Sequence, residues 1–218
     1  MNLTDWERHN AIKFKYPFPK AVEGFKKVLN REYENNEYDP TNLFVWGQMM
    51  AIAVLGMMKE VEREFGQQGQ EVCAQALKEV GRKIGEESFA GVDIPSYLNF
   101  AQKASIFATW VNEVIYASLE DPQVDSEDKA SFHISWCPHQ DVYTALDCRV
   151  QRYLVEGMLE AAAIRMGLEE LNVRFDCTIP SGAETCHFTL WRREDGEGNA
   201  WKEYSSYVSK RALGHCQA

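Results

Sequence analysis

The spacing of apolar residues changes character near the middle of the chain. Pro17, Pro19 and Pro40 keep residues 1 to about 40 irregular, with one helix between Lys20 and Tyr33. An apolar stretch then runs from Leu43 to Met58, interrupted by Gln48. It is short for a membrane span and predicts a buried helix from about Asn42 to Phe65, with Asp39 and Thr41 placed to cap it. Gly66 and Gly69 predict a turn. Cys73, Ala76, Leu77, Val80 and Ile84, three and four residues apart, predict a second helix. On it, Gly81 and Gly85 lie one turn apart and would let another backbone approach closely. A third helix carries Tyr97, Ala101, Ala104, Phe107, Ala108, Val111, Val114 and Ile115.

Past an acidic loop from Glu120 to Lys129 the period becomes two. Phe132, Ile134 and Trp136 alternate with His133, Ser135 and Cys137, which predicts a strand that Pro138 ends. Leu146 to Met166 reads as one helix with Gly167 as its C-cap. A hairpin follows. Leu171, Val173, Phe175 and Cys177 share one face of its first arm, Pro180, Ser181 and Gly182 make the turn, and Cys186, Phe188 and Leu190 share a face of the returning arm. Glu194 to Asn199 supplies another turn, and Ala200 to Val208 predicts a further strand, alone or running into a helix. The order predicts an α+β fold, a helical N-terminal half packed on a small antiparallel sheet with a long covering helix. Its parts are an extension over 1–40, a single domain over 41–210 and a tail over 211–218 that holds His215 and Cys216.

Composition narrows the function classes. The 218 residues are 45% hydrophobic and 26% charged, an ordinary globular balance. A net charge of -10, with no run of Lys and Arg, argues against nucleic acid or an anionic membrane as the main partner. The first residues carry acids and no apolar core, so they do not read as a secretory signal. The expected compartment is the reducing cytoplasm, where the six cysteines serve as thiols, ligands or nucleophiles rather than disulfides.

Four of those cysteines fall between residues 137 and 186. Cys177 and Cys186 flank the hairpin turn, and strict alternation puts both on the apolar face. Cys148, opening the long helix, could join them in a three-thiolate site for a soft metal such as zinc. The same residues also read as small buried hydrophobes. Cys137 shares a strand face with His133 and Ser135, and His139 follows two residues later. A thiol beside an imidazole can act as a nucleophile, and a thiolate at Cys148 would be favoured by the helix dipole. His187 alternates with Cys186 and points to the other face, as a base, a ligand or an exposed strand residue. Asp176 and Glu184 read as a solvated turn, and Cys73 as core. Of the tryptophans, Trp6, Trp46, Trp110, Trp136, Trp191 and Trp201, most are expected to serve packing. No Walker loop, G-x-G-x-x-G or H-E-x-x-H is present.

The segment FHISWCPHQDVYTALDC, followed by a helix and then FDCTIPSGAETCHF, resembles the L-2-amino-thiazoline-4-carboxylic acid hydrolase family. The shared pattern is a strand ending in Cys-Pro, a second cysteine one short loop later, and a late Gly-x-x-x-Cys-x-Phe. Here these are Cys137-Pro138, Cys148, and Gly182 with Cys186 and Phe188. FGQQGQEVCAQALKEVGRKIGEE is similar to that family's upstream helix, and the likeness covers about residues 45 to 192. The hairpin also resembles 4-vinyl-reductase type domains, small-molecule sensors of which some hold zinc with three cysteines and a glutamate. Cys148, Cys177 and Cys186 match the three cysteines, while Arg174 stands where the glutamate is expected.

Both resemblances imply a ligand pocket between helices and sheet. The first implies opening of a cyclic amidine-type ring at a carbon–nitrogen bond, by Cys137 with His139 or His133 as base, or by a zinc-activated water. Cys148, Cys186 and His187 complete that candidate site. Arg149, Arg152 and Arg174 are candidates to grip a substrate carboxylate, and each also reads as a surface charge. The second implies a non-enzymatic sensor-type module that binds a small molecule or zinc. Fold analogy adds a homodimer joined through the apolar N-terminal helices.

Overall fold

A computed structural model describes residues 11–33 and 41–216. Trp6, the Asp39 cap and the Cys216 side chain lie outside the described residues. Helix α1 is Pro19–Tyr33 and α2 is Thr41–Phe89. Gly66 breaks α2 with φ 58 and ψ -138, a conformation open to glycine and strained for other residues. The two arms, 41–65 and 67–89, meet at the bend. There Gly69 lies so close to Val61 that an added Cβ would sit 2.5 Å from the Val61 carbonyl oxygen. The turn expected at Gly66 is present, whereas Gly69 belongs to the helix.

Helix α3, Phe100–Thr109, begins with a reciprocal Asn99–Gln102 cap and continues as a π-helical stretch, Trp110–Ile115. The sheet strands are β1 Leu119–Val124, β2 Lys129–Trp136, β3 Leu171–Cys177 and β4 Cys186–Arg192. Helix α4, Arg149–Met166, ends at Gly167 with φ 67, as expected of a glycine C-cap. Helix α5 is Ala200–Cys216.

Two element assignments are corrected here. Strand β1 lies inside the expected acidic loop. Its sequence, LEDPQV, has too few apolar residues to show alternation, and Pro122 is tolerated because β1 is an edge strand. The segment from Ala200 is a helix rather than a strand and tail. Trp201, Val208 and Ala212 are its buried stripe, and His215 stands in its last turn.

The strands pair antiparallel throughout, in the order β1-β2-β4-β3. Ala130, Phe132 and Ile134 of β2, Val173 of β3, and Phe188 and Leu190 of β4 are buried beneath the helices. Ser135 and His133, on the other face of β2, are exposed, as is usual for a one-sided antiparallel sheet. The 67–89 arm of α2 packs on α4 at backbone contact. A Cβ at Gly81 would lie 1.9 Å from the Leu154 carbonyl oxygen, and one at Gly157 1.9 Å from that of Lys78. The close approach expected at Gly81 and Gly85 is made by α4.

The 41–65 arm departs from expectation. Only one of its faces is covered. Leu55 and Met58 pack with Tyr143, Val150 and Tyr153, and Glu62 is wholly buried against Arg149. The opposite face is exposed, with Trp46 at 59% and Met57 at 63%. This is the one helix among the described residues long and apolar enough to cross a membrane by length and composition. A helix apolar all round shows no period that separates its covered side from its bare one, so the sequence pattern overstated its burial.

Candidate functional site: an apolar cavity with three thiols and one arginine

A cavity of about 130 Å³ lies between the inner face of the sheet and α4, with α3 and α5 at its sides. Strand β2 delivers Cys137 to it. The strand ends at Trp136, so Cys137 escapes the alternation and lines the cavity together with Phe132 and Ile134. This corrects the expectation that it shares a face with His133 and Ser135.

The loop that follows is held from outside by the 41–65 arm. Gln48 donates through Nε2 to the Pro138 carbonyl at 2.5 Å, and its Oε1 lies 3.3 Å from His139 Nδ1. His139 stacks on Tyr143 at 4.9 Å, and the Tyr143 hydroxyl donates to the Ala51 carbonyl at 3.2 Å. Gln140 accepts the Cys137 N–H at 3.1 Å.

Cys148 caps α4 without a side-chain hydrogen bond, and Cys186 opens β4, where its sulfur accepts the Ile179 N–H at 3.2 Å. Cys137, Cys148 and Cys186 therefore line one cavity. Burial pushes all three thiols up, Cys148 to about 12, with Cys137, Cys186 and Asp147 adding to its shift. The direction at Cys148 is opposite to that expected of a helix dipole, and burial in an apolar place is its largest cause. At Cys137 burial is partly opposed by the His139 backbone N–H and the Ser118 hydroxyl, both of which favour the charged sulfur. Burial also lowers the His139 pKa and keeps its ring neutral.

The structure does not bring the other two histidines to this cavity. His133 and His187 face each other across β2 and β4 and stack at 4.2 Å on the outer side of the sheet. His133 Nδ1 lies 3.0 Å from the Thr185 hydroxyl, and His187 Nδ1 3.3 Å from Asp176. Asp176 is more than a solvated turn residue, since it also accepts from Thr189 at 2.7 Å and Arg174 at 2.6 Å.

Cys177 is displaced as well. A bulge between Phe175 and Cys177 pairs it with His187, and its sulfur donates to the Thr185 carbonyl at 3.4 Å. It does not line the cavity. Among the described residues no three His, Cys, Asp or Glu side chains stand where they could hold a metal ion, and the structure does not bring Cys148, Cys177 and Cys186 together as a ligand set.

The three arginines separate sharply. Arg149 is buried in an ion pair with Glu62, Nη2 to Oε2 at 2.6 Å, and donates to the Leu146 carbonyl at 2.8 Å. Arg174 is exposed and bound to Asp176. Arg152 lines the cavity and is 4% exposed. Its guanidinium lies 3.9 Å from the Phe175 ring centre, 4.4 Å from Trp201 and 4.5 Å from Tyr204. Nη2 donates to the Trp201 carbonyl at 2.9 Å and the Ser205 hydroxyl at 2.8 Å. Nε and Nη1 are buried with no acceptor, and no carboxylate pairs with Arg152 among the described residues. Burial pulls its pKa down to about 10, so it stays protonated at neutral pH. Gln151 Nε2, on the same wall, is also buried without a partner. Gln151, Ser118 and Tyr204 carried no sequence signal. They belong to no motif and meet only in the folded chain.

Fold and cavity together define an α+β protein with a pocket walled by thiols, aromatic rings and, among the described residues, one guanidinium with no paired carboxylate. Residues 46–190 match the family described as L-2-amino-thiazoline-4-carboxylic acid hydrolase, and the chain belongs to that family. It is 45% identical to an uncharacterised protein of Archaeoglobus fulgidus over 222 aligned positions, covering 96% of each chain. No solved structure matches it.

Proposed function

We propose that this protein is a hydrolase that opens a carbon–nitrogen bond in a small nitrogen-containing carboxylate held in the cavity. The observation that carries this reading is Arg152, a buried cation in the pocket wall whose Nε and Nη1 have no acceptor and which has no paired carboxylate among the described residues. A substrate carboxylate supplies the missing counter-ion. Membership of a family named for a hydrolase of a cyclic amidine-type carboxylate supports the reaction class.

Cys137 is the proposed nucleophile. Its proton passes to the neutral His139 imidazole, and the sulfur, with the His139 N–H and the Ser118 hydroxyl beside it, attacks the amidine-type carbon. The C–N bond breaks as the leaving nitrogen takes the proton back. Water then displaces the sulfur and restores the thiol. Cys148, at the start of α4, and Cys186, at the start of β4, line the same cavity as neutral thiols. The five described cysteines are unpaired, which suits work in a reducing cytoplasm.

The test is turnover of 2-amino-thiazoline-4-carboxylate and related cyclic amidines. Cys137→Ala is expected to abolish it with circular dichroism unchanged, and Arg152→Met to raise KM by about tenfold or more. Wild-type rates in Cys137→Ala would sink the cysteine mechanism.

A second reading, a non-enzymatic sensor-type binding module, draws on the upward shift of all three thiols, which leaves the pocket's cysteines neutral at rest. It requires ligand binding with no turnover in any variant.

A further inference from the structure

The cavity carries one fixed charge. Of the described residues lining it, none is Asp, Glu or Lys, and Arg152 is the single permanently charged side chain among them. The remaining wall is mostly ring and aliphatic carbon, including Phe107, Val111, Phe132, Ile134 and Phe188. The volume is about 130 Å³, close to the roughly 150 Å³ of an apolar cavity that binds benzene. From these observations we infer that the site takes a compact monocarboxylate whose body is uncharged, apolar and about the size of one six-membered ring, and that it rejects ligands bearing a cation.

This narrows the proposed function and rests on its carboxylate grip. A carboxylate beside the Arg152 guanidinium supplies the counter-ion this buried cation lacks. An ammonium or amidinium would be buried among rings and thiols with no counter-ion, so such a group enters only after losing its proton. A zwitterionic amino acid is therefore a poor ligand. A ring amidine binds in its neutral form, with affinity that rises with pH through the ring's own pKa.

Isothermal titration of the full chain with four matched probes tests this: benzoate, benzamide, benzylamine and phenylglycine. Benzoate is expected to bind, benzamide about tenfold or more weaker, and benzylamine and phenylglycine not measurably. Arg152→Met should remove the preference for benzoate over benzamide, and Arg152→Lys should restore part of it if the former variant folds poorly. Phenylglycine binding as tightly as benzoate, equal binding of benzamide, or binding by none of the four overturns the inference. Benzoate selectivity with no turnover of any amidine would instead sink the hydrolase reading and leave this one standing.

A separate observation concerns the bare face of the 41–65 arm. Leu43, Trp46, Met50, Ala53 and Met57 are exposed and spaced three, four, three and four apart, the repeat of a coiled-coil seam. The opposite face is pinned to the domain by the Tyr143–Ala51 and Arg149–Glu62 contacts, so the helix cannot enter a bilayer as a span without breaking them. The geometry points to a second copy of this chain as the occupant. The seam carries both bulky Trp46 and small Ala53 beside Gly56, so antiparallel pairing about a two-fold axis can set bulk against gap. Nine large apolar side chains of this arm are exposed. Five of them, Leu43, Trp46, Met49, Met50 and Met57, fall on or beside the seam and supply the apolar centre a two-fold interface buries.

Light scattering on the eluting protein is expected to give twice the 25.0 kDa chain mass. The double change Trp46→Glu with Met50→Glu is expected to give the single mass with unaltered circular dichroism and benzoate binding. A wild-type monomer at high concentration, whether or not it floats with lipid vesicles, overturns the dimer.

Discussion

At the scale of single residues, the cavity is governed by desolvation. The Cys148 thiol is raised from its ordinary 9.0 to about 12. A raised folded-state value means that the folded form holds its proton when the unfolded chain has lost it. The resulting stability is therefore full below about pH 9 and is lost as pH climbs toward 12, at no more than about 1.4 kcal/mol per pH unit. Urea unfolding across that range should show the loss, and Cys148→Ala should flatten it. Alkylation of native protein at neutral pH should be slow at Cys148. The Arg149–Glu62 pair makes the opposite point. Both side chains are out of water, so Arg149→Met strands a buried carboxylate and should cost about 3–5 kcal/mol in urea unfolding. Adding Glu62→Leu should recover most of that loss. These two arginines, 149 and 152, are alike in sequence. One is satisfied and structural, the other unsatisfied and placed at the pocket, and only a partner 87 residues away in the chain distinguishes them.

At the scale of elements, the α2–α4 contact is set by glycine. Gly81→Ala and Gly157→Ala each drive a methyl into a carbonyl oxygen of the facing helix, and should cost about 1–3 kcal/mol or more. Gly24→Ala on α1 meets nothing within 4 Å and should instead stabilise by about 0.5–1 kcal/mol. Thermal melts of the three variants check the contrast. The glycine spacing on α2 was readable from the sequence, and so were α4 with its Gly167 cap and the β3–β4 hairpin, because each has a local physical signature. Strand β1 was not, because an edge strand of charged and polar residues has no inward face to announce. The faces of Cys137 and Cys177 were misread for a shared reason. Alternation holds only inside a regular ladder, and one of these residues lies past a strand end while the other follows a bulge.

At the scale of the whole molecule, stability should form a plateau in pH with a different cause at each edge. Burial works to raise the Asp147 carboxyl, but the Lys59 ammonium and the Thr144 N–H and hydroxyl outweigh it and hold it below its usual 3.8. A lowered folded-state value contributes above the unfolded one and is lost as pH falls through the folded one. Acid unfolding should therefore begin below about pH 4, and Lys59→Met should move that edge upward in a melting-temperature series. The alkaline edge belongs to the buried thiols together with Tyr116, Tyr143, Tyr153 and Tyr204, whose hydroxyls burial also pushes up. Between the two, the -10 charge lies on a surface that also bears the apolar 41–65 face, so charge repulsion and seam burial oppose each other in association. Added salt should strengthen the proposed dimer, read as a rise in the light-scattering mass at fixed protein concentration.

Local pattern determined the α+β class, most of the elements, the family and the pool of candidate residues, because periodicity, caps and cysteine motifs are written in neighbouring positions. Tertiary structure decided which candidates meet. Cys137, Cys148, Cys186, His139 and Arg152 line one cavity, whereas His133, His187, Cys177, Arg149 and Arg174 are spent elsewhere. The physical reason is that burial and partnership are properties of the packed chain. Whether a thiol is desolvated, a guanidinium unpaired or an apolar helix face left bare depends on residues far away in sequence.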